Sequence, residues 1–237
     1  MKRHRLWLLI LWGSLLAIAA HAGEATKTGV VKGTITIGGR PTPDAVVSAE
    51  GSQVKALSVK KALMDQRELK FLPRVLPVQA GTTVDFPNND KTFHNVFSTS
   101  EAKKFDLGLY PSGQRRSAIF DKAGVVKILC NVHPNMEAYI LVKDHPHFSA
   151  TDARGNYTLK GLPLGKYRLE VWHPEYGART VPVELVREGE VLAIDIDSGF
   201  RFYGERSLRS QRTPAKRPKP ASSRGRLPSA ADRRPTP

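Results

Sequence analysis

The sequence has little of what would cross-link the chain or carry it through a membrane. It contains one cysteine in 237 residues, so no disulfide can form within one chain. Beyond residue 22 it has no apolar run long enough to span a bilayer, and no long helical period with caps. These absences exclude a disulfide-linked secreted module, a protein with several membrane-spanning helices and a helical bundle.

The one long apolar run lies at the start of the chain. Met1 to Arg5 is positively charged, Leu6 to Ala20 is almost uninterrupted in its apolar character, and Ala20-His21-Ala22 provides small residues around a cleavage position. This pattern indicates a secretory signal peptide over residues 1–22. A retained membrane anchor is the alternative, although the run is shorter than the roughly 20 residues that span a bilayer. We therefore expect a periplasmic protein with no transmembrane span after cleavage.

The net charge of +15 would suit a nucleic-acid-binding protein, but its distribution does not. Ten Lys or Arg residues against two acidic residues lie within 204–237, and three basic residues lie in the leader, which leaves +4 for the body between. The segment 204–237 is rich in Arg, Lys, Pro and Ser and poor in apolar residues, so we expect a disordered basic tail. Such a tail could contact acidic surfaces, and no nucleic-acid partner is expected.

Short runs with β propensity follow one another between Gly29 and Ile196. They are separated by Gly, Pro and Asn, and they include Thr82 to Phe86, Val125 to Leu129 and Tyr167 to Val171. Short strands with turn signals at this spacing are typical of β-sandwiches. The sequence therefore predicts an all-β fold.

The single cysteine belongs to a distinctive segment, Cys130-x2-His133-x2-Met136, which follows the predicted strand ending at Leu129. About 35 residues upstream, His94 follows another strand. A thiolate, two imidazoles and a thioether are the ligands of a mononuclear blue-copper site. The sequence therefore predicts that His94, Cys130, His133 and Met136 bind one copper ion.

Each of these residues also has an ordinary interpretation. Met136 alone would be core filler, His94 a surface or hydrogen-bonded histidine, and Cys130 a small buried hydrophobe. Zinc rarely binds a thioether, and a cysteine protease would need an orienting group and an oxyanion element that the segment does not offer. The spacing of the four residues together favours copper.

With these residues in view, Met64 to Val142 resembles the cupredoxin family of plastocyanin-like electron carriers, and the short loop is similar to that of amicyanin-like members. Supporting matches are Val78 to Val84 and Asp121 to Gly124. The resemblance implies a Greek-key β-sandwich with one type 1 copper, and a periplasmic dehydrogenase or c-type cytochrome as partner. It also implies individual roles, namely a ligand plane of His94, Cys130 and His133, an axial Met136, a bond from Asn95 to the cysteine loop, and an electron port at His133, Pro134 and Phe93.

A second β-sandwich is expected from the remaining strands. Thr151 to Leu159 and Gly161 to Val171 resemble the prealbumin-type, carboxypeptidase regulatory-like module, and Gly29 to Val47 resembles its first strands. We expect residues 23–51 and 145–200 to form this module, with the cupredoxin domain, residues 52–144, inserted between its halves. Tandem order, with Gly29 to Gly51 as cupredoxin strands, is the alternative.

Three further histidines raise the question of a second metal site. Asp144-His145-Pro146-His147 could bind a cation with His173, but the sequence favours solvent-facing linker histidines. The leading functional prediction is thus an electron carrier and not an enzyme. The alternatives are an envelope copper-holding or carbohydrate-binding β-sandwich protein without redox turnover, and a structural adhesin with an empty site.

Overall fold

A computed structural model of the chain describes residues 26–51 and 60–197. Across these two ranges the chain forms strands and turns, and it contains no helix. None of the described residues belongs to a helix with the length and apolarity needed to cross a membrane. The predicted leader, residues 1–22, and the predicted basic tail, residues 204–237, lie outside the described residues.

The strands are numbered in chain order. They are β1 (Thr28–Ile37), β2 (Arg40–Pro41), β3 (Val46–Glu50), β4 (Lys61–Leu63), β5 (Asp65–Arg67), β6 (Lys70–Leu72), β7 (Val75–Gln79), β8 (Thr82–Pro87), β9 (His94–Ser100), β10 (Lys103–Tyr110), β11 (Arg115–Phe120), β12 (Gly124–Leu129), β13 (Glu137–Lys143), β14 (Phe148–Ala150), β15 (Asn156–Pro163), β16 (Gly165–His173), β17 (Gly177–Leu185), β18 (Val191–Ala193) and β19 (Ile196–Asp197).

The first sandwich takes its strands from both ends of the described chain. In one sheet β1 pairs antiparallel with β15 and β2, and parallel with β18 and β19; the other sheet has the order β14-β3-β16-β17. None of the strands paired with β1 comes from residues 60–143. Inward-facing side chains of both sheets, such as Val31, Ile35 and Leu169, form one buried core. The resemblance of this sandwich to the prealbumin-type module stays a prediction.

The second sandwich is built from the residues in between. Its larger sheet has the order β10-β9-β12-β13-β7, and its smaller sheet has the order β11-β8-β4. Phe86, Phe105 and Phe120 meet between the sheets with ring centroids 5.9–6.4 Å apart. The prediction of an all-β protein with two β-sandwiches is confirmed.

The two sandwiches contact each other through strands that are buried on both faces. Side chains alternate between the faces of a strand, so β3 directs Val47 into the first core while Val46 points the other way. On β13 Ile140 lies in the second core, and Leu141 packs with Val46. This arrangement explains why Val46 and Leu141 are apolar although each points away from the core of its own sandwich.

Charged side chains surround that apolar contact. Lys143 of the second sandwich lies 2.9 Å from Glu50 and 2.7 Å from Glu170 of the first. The His145 imidazole, 3.6 Å from the same Glu50 oxygen, and then the Lys143 ammonium hold the pKa of Glu50 well below its ordinary value of 4.5. Arg74 makes a second link through Asp44 and Glu175.

The hairpin of β5 and β6 lies beside the second sandwich. Its two loop residues, Glu68 and Leu69, both have positive φ, at 52° and 58°, which is the backbone of a type I′ turn. The buried amide of Gln66 fastens the hairpin by donating to the carbonyl of Pro87 at 3.1 Å and to the hydroxyl of Tyr110 at 2.5 Å. The hairpin is thus held against the end of β8, next to the residues that precede His94.

The junction charges generate a prediction. Replacing Glu50 with Gln removes the carboxylate that Lys143 and His145 contact, so the variant should lose about 1 to 2 kcal/mol of unfolding free energy at pH 7. A carboxyl whose folded pKa is depressed stabilises the fold above its unfolded pKa and ceases to do so as pH falls through the folded value. The difference in unfolding free energy between wild type and E50Q should therefore become smaller below pH 4.5. Urea unfolding at several pH values measures this free energy. E184Q, at an exposed position of β17, is the matched control. Equal stability of E50Q and wild type at pH 7 would contradict the prediction.

Candidate metal centre

His94 occupies the first position of β9, and its side chain is completely buried. β9 lies between β10 and β12 in the larger sheet. Tyr110 at the end of β10 is directly opposite His94, and Leu129 at the end of β12 is opposite Phe97. This pairing brings the start of β9 to the edge of the sandwich at which β12 ends.

Cys130 follows β12 at that same edge and begins the loop that leads to β13. The loop is closed by two backbone hydrogen bonds, from Cys130 N–H to the carbonyl of Met136 at 3.3 Å and from Met136 N–H to the carbonyl of His133 at 2.9 Å. The tight turn directs His133 back toward Cys130. Cys130 is a free, buried thiol.

Three predicted ligands meet at this point. Nδ1 of His94 and Nδ1 of His133 lie 3.0 Å apart, and Sγ of Cys130 lies 3.9 Å and 3.7 Å from them. Within residues 26–51 and 60–197, this is the only group of three or more His, Cys, Asp or Glu side chains whose ligand atoms converge closely enough to hold a metal ion.

The geometry of the group fits a copper ion. Bonds from a transition metal to imidazole nitrogen and to thiolate sulfur are about 2.0–2.1 Å and about 2.3 Å long. Two such ligands on one ion are therefore at most about 4.1 to 4.4 Å apart, and all three separations here are shorter. A soft thiolate combined with two imidazoles suits copper chemically.

The other predicted site residues have mixed outcomes. Met136 is buried in the same core cluster as Cys130. Asn95 does not bond to the cysteine loop as expected; its side-chain amide donates to Asp106 at 2.6 Å, and its side-chain oxygen is buried with no hydrogen-bond partner. The reason is the register of β9 and β10, which places Asp106 across from Phe97 and within reach of Asn95.

A functional contact that the sequence did not reveal lies on the far side of the His94 ring. Nε2 of His94 is 3.0 Å from a carboxylate oxygen of Asp90. The same carboxylate accepts hydrogen bonds from the backbone N–H groups of Leu69 and Lys91. These two amides, and then His94, lower the pKa of Asp90 to about 2. In the sequence, Asp90 was visible only as an acidic residue in the loop before the predicted ligand His94. Its distance from the His94 ring could not be inferred.

Apolar side chains next to the predicted ligands in the chain reach the surface, together with the exposed Asn131 and Asn135. The His133 side chain is partly exposed, Pro134 is exposed, and Phe93 and Val132 expose 53% and 47% of their surface. All of them flank a predicted ligand in the chain. The predicted electron port residues therefore lie at the surface, while His94 and Cys130 lie beneath it.

The remaining histidines differ from expectation, because His145, His147 and His173 are buried and do not face solvent. His145 and His147 lie in the connection from β13 to β14, which runs along the junction of the sandwiches, where His147 accepts through its carbonyl a bond from Ala49 N–H. Burial lowers the pKa of His147 and of His173. Among the described residues, the nitrogens of these three rings do not belong to a group of three or more ligand atoms close enough to hold a metal ion.

Comparison with known proteins gives a family for this part of the chain. Residues 58–143 match the copper binding proteins of the plastocyanin/azurin family. A purple cupredoxin from Nitrosopumilus maritimus is 26% identical over 35% of this chain and 99% of that one, with a TM-score of 0.32. A reduced amicyanin variant is 23% identical over 41% of this chain and 98% of that one, with a TM-score of 0.33. The comparison with curated proteins finds no match.

A copper-containing nitrite reductase from Thermus scotoductus is also similar, at 25% identity over 41% of this chain and 26% of that one, with a TM-score of 0.35. Because all these TM-scores are low, the assignment rests on the family match and on the site. A matched segment that folds as a β-sandwich and holds two imidazoles around one thiol is a copper-binding domain of the cupredoxin type.

Proposed function

We propose that this chain is an exported electron carrier whose single copper is held by His94, Cys130, His133 and Met136. The observation that carries the proposal is the convergence of three ligand atoms, two from imidazoles and one from the only thiol, at one edge of a rigid sandwich. A bound copper ion supplies one-electron exchange between its two oxidation states. The domain family, whose members generally carry electrons, supports the same function.

The protein supplies a set of donors that suits both oxidation states. The thiolate of Cys130 is a soft donor, and the two imidazoles complete the set that blue-copper proteins use. Met136 is buried beside Cys130 in the same cluster, and its thioether is the natural candidate for a weak axial contact. We assign it that role because it is the last residue of the hydrogen-bonded loop that also carries Cys130 and His133.

The rigidity of the site favours fast transfer. His94 and Cys130 belong to or directly follow neighbouring strands of one sheet, and the two backbone hydrogen bonds of the loop fix His133 relative to Cys130. Ligands on a rigid frame move little when the charge of a bound ion changes by one. A small rearrangement means a small barrier to gaining or losing an electron.

The apolar surface supports exchange with a redox protein. The His133 side chain is partly exposed, and the apolar side chains of Phe93 and Val132, which precede His94 and His133 in the chain, are exposed as well. Aromatic side chains are enriched, and most charged side chains depleted, in the core of protein–protein interfaces. A periplasmic dehydrogenase or c-type cytochrome would suit such a surface.

Export is part of the same proposal and is supported by the leader-like residues 1–22. Cell fractionation of the full-length chain with a C-terminal tag should recover a shortened protein in the periplasm. Recovery of the uncut chain with the membranes would instead support a retained anchor.

Copper loading tests the function directly. The chain should take up one Cu(II) and develop an intense absorption near roughly 600 nm from the bond between Cu(II) and a thiolate. A mild reductant should bleach this absorption, and an oxidant should restore it. C130A should remain folded by circular dichroism and stay colourless, whereas H173Q should still bind one copper because that imidazole lies outside the cluster.

A colourless protein that binds only Cu(I) would contradict electron transfer and favour the copper-holding alternative. Absence of bound copper after titration with either ion, measured by metal analysis of the desalted protein, would exclude copper binding by this chain altogether. Metal analysis distinguishes the two failures, because protein-bound Cu(I) is colourless and a blank spectrum alone does not.

The axial role of Met136 has a matched control within the core. Met64 and Met136 are both fully buried in the same cluster, and replacing either with Leu should cost less than about 1.5 kcal/mol because the volumes are similar. M136L should raise the reduction potential and change the paramagnetic resonance spectrum, since it removes the thioether. M64L should change neither, and identical spectra for both variants would remove Met136 from the ligand set.

A further inference from the structure

The contact between Asp90 and His94 carries an inference that rests on the proposed function. We propose that Asp90 is a positioning residue that keeps the His94 proton on Nε2, directs the free Nδ1 lone pair into the metal centre, and lowers the reduction potential of the bound copper. The carboxylate acts through the ring and does not touch the metal centre itself.

The carboxylate is fixed by contacts that do not depend on His94. One of its oxygens accepts a hydrogen bond from Leu69 N–H at 2.7 Å, and the other accepts one from Lys91 N–H at 2.8 Å. The buried Asn88 holds the backbone of the same loop, because its side chain accepts from Asp90 N–H at 3.1 Å and donates to the carbonyl of Thr92 at 2.8 Å. Asp90 is thus preorganised toward the ring.

The hairpin turn supplies one of those amides. Glu68 and Leu69 adopt left-handed backbone conformations, which cost other residues than glycine about 1 to 2 kcal/mol each. The turn presents Leu69 N–H to Asp90, 21 positions further along the chain. A strained turn that places an amide on a carboxylate beside a ligand is consistent with a role in the site.

The proton on His94 follows from donor and acceptor chemistry. An ionised carboxylate only accepts hydrogen bonds, so the nitrogen 3.0 Å away, Nε2, has to be the one that carries the proton. A neutral imidazole has one N–H, which leaves Nδ1 with its lone pair facing Cys130 and His133. Nδ1 is the atom that lies 3.0 Å from Nδ1 of His133.

The electronic effect follows from burial and charge. The Asp90 side chain is 12% exposed and the His94 side chain is fully buried, so salt and water screen their interaction little. A carboxylate on the outer nitrogen of a ligand histidine raises the basicity of that ligand. A more basic donor and a nearby negative charge both favour Cu(II) over Cu(I). Among the described residues, no carboxylate lies within 4.0 Å of a ring nitrogen of His133, so the effect is confined to one ligand.

The test compares full-length D90N with wild type. Asn keeps the shape and an acceptor oxygen but removes the charge. Loss of such an outer partner should weaken Cu(II) binding about 10- to 100-fold. If Cu(I) binding is unchanged, that loss corresponds to a rise in reduction potential of about 60 to 120 mV. Potentiometric titration and competition with a chelator measure the two quantities.

D65N is the matched control. Asp65 lies in the same hairpin, accepts bonds from Gln66 N–H and the Asn89 amide, and has no bond to a histidine in the structure. D65N removes one negative charge from the same end of the domain as D90N does. The reduction potential of D65N should stay close to that of wild type. Equal potentials for D90N, D65N and wild type would overturn the proposal.

A second measurement needs neither a variant nor copper. Nitrogen-15 NMR of the metal-free wild type at about pH 8, where an ordinary imidazole is neutral, reports which ring nitrogen carries the proton. We expect Nε2–H for His94, and Nδ1–H would overturn the proposal even if D90N does not fold. Failure of the wild type to bind copper would instead refute the proposed function. The NMR result would still report which nitrogen of His94 carries the proton, because it is measured without copper.

Discussion

The metal centre depends on one constraint, the pairing of β9 with β12. β9 begins at His94, and β12 ends one residue before Cys130. Because the two strands are antiparallel neighbours, the start of one and the end of the other lie at the same edge of the sheet. A shift of register by one residue would turn His94 to the other face of the sheet. The core residues of β9 and β12, Val96 and Ile128, fix the register by their burial.

The cluster also shows what distinguishes Cys130 from an ordinary buried cysteine. Cys130 could be a small core residue, and its burial with Val126 and Ile128 suits that role. What distinguishes it is the approach of two imidazole nitrogens within 3.9 Å, which no packing requirement explains. Packing places the sulfur, and the loop that follows places the nitrogen of His133 against it.

Much of the fold and the centre of the site could be predicted from the sequence. Alternating strands and turn residues indicated an all-β chain, and the spacing of Cys130 and His133 indicated a shared ligand loop. The contact of Asp90 with His94 could not be predicted, because residues four apart approach each other in a helix but not in an arbitrary loop. The burial of His145, His147 and His173 was missed for a similar reason. It depends on the packing of one sandwich against the other, which local patterns do not encode.

The way the chain passes from one sandwich to the other has a mechanical consequence. It leaves the first sandwich after β3 and returns to it in β14, and these two strands are hydrogen-bonded neighbours, with Phe148 opposite Ser48. A domain tethered at two adjacent points, and clamped there by Lys143 and Arg74, cannot swivel as a domain on a single linker can. The surface that carries His133 therefore has a fixed orientation relative to the first sandwich. Under the proposed function, the direction from which a partner reaches His133 would be set by the orientation of the first sandwich.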